Sequence, residues 1–205
     1  MCSNISVDCA TFIFKQPTRK KPCLFTPNPA KNDSMNPSYL RMLLPMDDAC
    51  RRFSEWIGLA PLGPPKKLKA SKAVAAACKD GAWRSRVAVY LYQSGEWTVF
   101  SDLTGHLASY SAAQWRKLAG RNQLVFAGYN DAVPYGQLVV VRGGRVVREF
   151  LDDQQNPREN VNRGRLDFEK HLPLRTWIDA ASFVDEDSIA SDPDTGFLWL
   201  FGEVS

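Results

Sequence analysis

Four polar residues, Asp102, Asn130, Asp131 and Glu149, fall at or near the ends of apolar strand patterns, where a sheet enzyme gathers its polar groups. Carboxylates so placed can exchange protons with a substrate, and a hydrolase reading would use Asp102, Asp131 and Glu149. Their spacing alone does not make them converge. Nucleophilic catalysis has less to draw on. His106 and His171 are the only two histidines, no serine stands in a GxSxG elbow, and no cysteine has a recognisable activating setting. HExxH and EF-hand spacings are absent, as are phosphate-loop and dinucleotide fingerprints. Asp185, Glu186 and Asp187 could hold a divalent cation weakly, although a solvated loop is the simpler account. The sequence therefore names no catalytic residue, no metal site and no cofactor.

A second kind of chemistry is recognition. "GYNDAVPYG" (128–136) lies between two apolar strand patterns. Asn130 and Asp131 suit an Asx-type turn, Pro134 fixes one φ, and Gly128 and Gly136 relieve the ends. Tyr129 and Tyr135 are amphipathic and cheap to immobilise, a type enriched at protein interfaces. The segment reads either as a rigid turn with buried tyrosines or as a recognition loop.

The elements that must position these residues follow from periodicity. Residues 1–45 read as an extended segment rich in Pro and Lys, and 46–85 as helices. Residues 86–205 then supply a sheet and a C-terminal helix. In "PMDDACRRFSEWIG", Asp47 or Asp48 is the expected cap, Phe53, Trp56 and Ile57 share a face, and Gly58 ends the helix. "APLGPP" is a rigid connection. "SKAVAAACKDG" is a second helix capped by Ser71, with Val74, Ala77 and Cys78 on one side. Alternation predicts a hairpin from "RVAVYLY" and "WTVFSDL", and "QLVFAGY" as a further strand. "SAAQWRKLAG" carries a capping box, Ser111 with Gln114. Gly143-Gly144 marks a two-residue hairpin turn in which both residues take positive φ. Pro173 opens a last helix with Leu174, Trp177, Ile178 and Ala181 on one face, and "FLWLFGEV" is a final strand. The expected fold is a single α+β domain, with a mainly antiparallel sheet of five or six strands and about four helices.

The totals bound the partners. The formal net charge of +4 divides unevenly: residues 152–205 hold twelve acids and five bases, a net of −7, so the rest carries +11. A basic front half could meet nucleic acid through residues 15–86, yet no nucleic-acid-binding signature is present. The five cysteines are odd in number and widely spaced, which fits neither a disulfide framework nor zinc, although an N-terminal pair could bridge in an oxidising compartment. No apolar run is long enough to span a membrane, and the N-terminus does not read as a signal peptide. A cytoplasmic protein is expected.

The stretches "WTVFSDLTG", "LVFAGYNDAVPYGQLVVVRGGRVVREFLDD", "NPRENVNRG" and "WIDAASFVDED", within about residues 83–203, resemble bacterial immunity proteins. Those proteins accompany secreted polymorphic toxins and type VI secretion effectors. The resemblance implies a protein without catalytic activity that binds its cognate toxin, a nuclease effector among the candidates, and blocks the active site or substrate access. It marks a scaffold and assigns no contacts. The partner-binding residues expected here are the acids and tyrosines of the later loops: Tyr129, Asn130, Asp131, Tyr135, Asp152, Asp153, Asp185, Glu186 and Asp187. An acidic surface such as 185–194 could imitate phosphate charge in a nuclease cleft, although the chain as a whole is basic. Neither a membrane nor direct nucleic-acid contact is expected.

Overall fold

The computed structural model describes residues 38–79, 86–182, 184 and 196–202. It is built on ten strands: β1 (Ser38–Met42), β2 (Ala60–Pro61), β3 (Lys66–Leu68), β4 (Arg86–Ser94), β5 (Trp97–Asp102), β6 (Leu124–Asn130), β7 (Tyr135–Arg142), β8 (Arg145–Asp153), β9 (Val161–Arg163) and β10 (Gly196–Gly202). They form one sheet in the order β2-β10-β4-β5-β1-β6-β7-β8-β9, with β3 also paired to β10. Every pairing is antiparallel. Helices α1 (Met46–Ile57) and α3 (Ala112–Ala119) pack on one face. Helix α2 (Ala70–Cys78) and a fourth helix, α4 (177–182), pack on the other. The chain is an α+β domain in three layers.

Both faces of the sheet are thus covered, and two cores result. On the α1/α3 face Leu40, Met42, Phe53, Phe100, Trp115, Leu118, Phe126, Val139 and Phe201 are all at 2% exposure or less. Trp115 stacks on Phe126 with centroids 4.5 Å apart, and Phe53 on Phe100 at 4.7 Å. On the opposite face Tyr39, Tyr90, Val99, Val125, Leu138, Val140 and Phe150 meet Ala73, Ala77 and Ala180. Alanines at these helix positions let α2 and α4 approach the sheet closely. Burying a Phe or Leu side chain contributes about 1.5–3 kcal/mol, so this double core dominates stability.

Several expectations change. Among the described residues the sheet has ten strands, because β1, β2, β3 and β9 join the six that alternation suggests. The largest correction is β1, which falls within the segment expected to be extended and irregular. It is the central strand, between β5 and β6, with all five residues buried. Its alternation is disguised because each face meets a core, and Arg41 interrupts the apolar run. The 46–85 stretch holds two short strands besides its helices. Among them, Lys66 and Lys67 lie exposed on β3, as suits a sheet edge.

Capping also differs in places. Pro45 is the N-cap of α1, while Asp47 and Asp48 sit in its first turn, where they complement the helix dipole. Lys69, not Ser71, precedes α2, and Ala73 with Ala77 forms its buried side. Ile178 is 58% exposed, whereas Leu174 is buried before α4 begins. The α4 start is built by Asp179, whose carboxylate accepts from the Arg175 and Thr176 amides at 2.8 Å each. Other expectations hold. Ser111 and Gln114 make the capping box of α3, and Gly143 and Gly144 turn the β7–β8 hairpin at φ of 54° and 76°.

One buried ion pair fixes the last third of the chain. Arg148 on β8 is fully buried, and its Nε and Nη2 donate to the Glu169 carboxylate at 2.6 and 2.9 Å. Its Nη1 donates to the carbonyls of Glu149 and Arg163 and to Asn162 Oδ1. Glu169 also accepts from the Leu166 amide. The two side chains bind the 166–170 turn and β9 to the sheet. No helix among the described residues is long and apolar enough to cross a membrane.

Candidate partner-binding platform

The register lines up Asp102, Ser38, Gly128, Gln137 and Leu151 across one end of the sheet. Three loops emerge beyond this line, at 103–111, 131–134 and 154–160. Each is held by a carboxylate or amide at its base, in a way that short polar side chains can achieve locally.

The first is organised by Asp102, which is 2% exposed. Its Oδ1 accepts from the Thr104 and Gly105 amides, both at 2.9 Å, and from the Thr104 hydroxyl. Its Oδ2 accepts from the Leu107 amide at 2.7 Å and from the Ser38 hydroxyl at 3.3 Å. Burial pushes this carboxyl above the usual range against the pull of those hydrogen bonds. In the second loop, Asn130 Oδ1 accepts from the Ala132 and Val133 amides, the expected Asx turn. Asp153 shapes the third by accepting from the Gln155 and Asn156 amides. The Asn156 side chain above all, with these amides, holds the Asp153 carboxyl below its ordinary range.

Bonds between the loops join them into one surface. The Gln154 amide donates to the Pro134 carbonyl at 3.0 Å. The Tyr135 hydroxyl lies 3.0 Å from the Ala108 carbonyl and 2.8 Å from Gln137 Oε1, two acceptors for one proton. Gln137 in turn donates to the Tyr110 carbonyl. Asp152 is buried and accepts from Asn160, Gln154 and the Trp177 amide, which ties β8 to the start of α4.

The expected partner residues are therefore placed unequally. Asp131 is exposed at the turn, and Asn130 and Asp153 are half-buried with their side chains shaping the loops. Tyr135 turns onto the α1/α3 face, and burial pushes its phenol well above the ordinary tyrosine value. Tyr129 packs against the opposite core. Asp152 lies inside, contrary to the expectation of a surface acid, because the alternation of β8 aims it under α4. Asp185, Glu186 and Asp187 lie outside the described residues. Sequence reading missed Gln154, Gln155, Asn156, Arg158 and Glu159, which are exposed on the same platform. Their only signal was the turn-forming composition of "DDQQNP".

The carboxylates of the hydrolase reading do not share a site. Asp102 and Glu149 lie on strands four apart in the sheet, about 19 Å at the usual strand spacing. Asp131 stands in the turn beyond β6. Glu149 sits inside β8 opposite Val139. Among the described residues no three His, Cys, Asp or Glu side chains are grouped to hold a metal ion. Comparison with protein-family models, curated proteins and solved structures found no match for this chain.

Proposed function

We propose that this protein binds and neutralises a cognate secreted bacterial toxin in the cytoplasm, seating on it and covering its active site or substrate access. The observation that carries the reading is the loop platform, whose three loops are tied at their bases and to one another. A surface ordered before contact loses little conformational entropy on binding, which favours tight, stoichiometric association. The platform offers Asp131 and Glu159 beside Arg158 and several side-chain amides, a polar rim suited to selecting one partner.

The test is co-expression with the product of the adjacent open reading frame. Protection of the host and co-purification of a stoichiometric complex are expected. Growth arrest despite folded protein, or no complex, rejects the proposal. Asp131→Arg keeps Asn130, the residue that holds the turn, so its melting temperature should match the wild type while toxin affinity drops at least tenfold. Unchanged affinity removes this platform as the contact. Replacing Asp185, Glu186 and Asp187 by Lys, assayed at low and high salt, tests the acidic segment separately.

A further inference from the structure

At the β2/β3 edge of the sheet, "PLGPP" (61–65) leads from the end of β2 toward β3, and all five residues are exposed without a polar side chain. The prolines and the glycine suit a rigid turn, but a turn does not require a leucine in water. Leu62, at 44% exposure, is one of three large apolar side chains exposed among the described residues. The backbone of this loop has few donors to satisfy. Pro61, Pro64 and Pro65 have no N–H, and the Leu62 N–H donates to the Leu200 carbonyl at 2.9 Å. Gly63 alone is left with a backbone donor to account for. Unpaired backbone groups oppose the entry of a segment into an apolar medium, and here most of the donors are removed or used.

Four lysines border the loop. Lys66 and Lys67 stand on β3, Lys69 precedes α2, and Lys72 lies in the first turn of that helix. All four are exposed. They follow one rim: Leu62 is bonded to Leu200, Lys66 is the partner of Leu198 two residues along β10, and the Lys72 N–H donates to the Lys69 carbonyl. Alternation points Lys66 and Lys67 to opposite faces, but both faces border the free edge of β3, which pairs with β10 alone. None of the four pairs with a carboxylate among the described residues, where the ion-paired cations include Arg51, Arg148 and Lys170. Residues 56–79, 86–94 and 196–202, which build β2, β3, α2, β4 and β10, contain no Asp or Glu. Glu96 sits in the β4–β5 turn, two strand spacings or about 10 Å across the sheet from β3. Asp80 and the acids of 185–194 lie outside the described residues. Cations at 69 and 72 oppose the dipole of α2, so helix formation does not account for them.

We propose that this edge is a peripheral membrane-binding surface, on which the 61–65 loop enters the interface of an anionic bilayer and the four lysines bind its headgroups. The apolar and basic parts together choose this occupant. A nucleic-acid backbone needs cations alone and gives Leu62 nothing to bury in. Lysines supply diffuse charge, without the arginine forks that grip single phosphates. Four or more such cations beside an apolar surface are the pattern of anionic-lipid binding. The edge lies three strand spacings, about 14 Å, from Asp102 at the loop platform, so it does not depend on the toxin-binding reading. It departs from the expectation that the chain meets no membrane.

The experiment is co-flotation of the full chain with vesicles of equal parts phosphatidylserine and phosphatidylcholine, and with vesicles of phosphatidylcholine alone. Four lysines near the surface predict partitioning into the anionic vesicles on the order of 1,000-fold stronger, weakening as salt is raised. Lys69→Gln/Lys72→Gln relieves the dipole of α2 and so keeps the fold, and it should partition about 30-fold more weakly. Leu62→Ser, at an unchanged melting temperature, should lose about fivefold. Arg116→Gln/Lys117→Gln on α3 lowers the net charge by the same amount and should partition as the wild type does. Four results overturn the proposal: no wild-type preference for the anionic vesicles, an equal loss in the α3 variant, no loss in Leu62→Ser, or displacement of the protein from the vesicles by duplex DNA.

Discussion

Replacing Arg148 by methionine removes the most deeply buried charge described in the protein and leaves Glu169 alone in the core. The Glu169 side chain is 2% exposed, and two short charge-assisted hydrogen bonds are lost with the guanidinium. Breaking a buried pair by removing one partner costs about 3–5 kcal/mol, because the remaining charge keeps its desolvation penalty without compensation. The carbonyls of Glu149 and Arg163 and the Asn162 side chain lose their donor as well. A loss of about 4 kcal/mol corresponds to a melting temperature lower by about 8–16 °C in a domain of this size. Removing both charges, in Arg148→Met/Glu169→Leu, should recover at least half of the loss, since neither charge of the pair is then left buried without its partner. Thermal and urea unfolding of the two singles, the double and the wild type give the coupling between the sites. Amide exchange should quicken first at 161–170, the segment this pair holds. A single-variant loss below about 1 kcal/mol, the size of a surface pair, would refute the reasoning, as would additive single and double effects.

Three further outcomes follow from the same structure. Asp102→Asn turns one acceptor oxygen into a donor facing the Leu107 or Gly105 amide, and the loss should be about 1–3 kcal/mol. Because burial raises the Asp102 pKa in the fold, its contribution is greatest below the unfolded carboxyl value. The wild type's advantage over the asparagine variant should therefore shrink as pH rises through the folded pKa in urea titrations, and an advantage that grows would contradict this. Gly136→Ala places a methyl 2.7 Å from the Trp177 Cα and should cost about 1–3 kcal/mol with α4 loosened, read by circular dichroism and amide exchange. Cys50, whose thiol burial and then Asp47 push up to about 11, should alkylate at pH 8 on the order of 100-fold more slowly than a free thiol. Peptide mass spectrometry after timed iodoacetamide exposure measures it.

Local chemistry fixed much of this molecule in advance. The capping box at Ser111, the positive-φ turn at Gly143-Gly144 and the Asx turn at Asn130 each depend on residues within a few positions of one another. Such features are readable because the physics that forms them is short in range. The α+β class likewise follows from alternation and helical periodicity. The tertiary structure alone decided where those pieces go. Ser38–Met42 becomes the central strand because β5 and β6, about 60 and 85 residues further on, supply its hydrogen bonds and two helical layers bury both its faces. Arg148 and Glu169 are ordinary surface types in sequence, and only the bulged β8 and the 166–170 turn bring them together inside. In the same way Asp152 looks like a neighbour of Asp153 and is not one in function. The strand's two-residue period sends one beneath α4 and leaves the other to shape a loop.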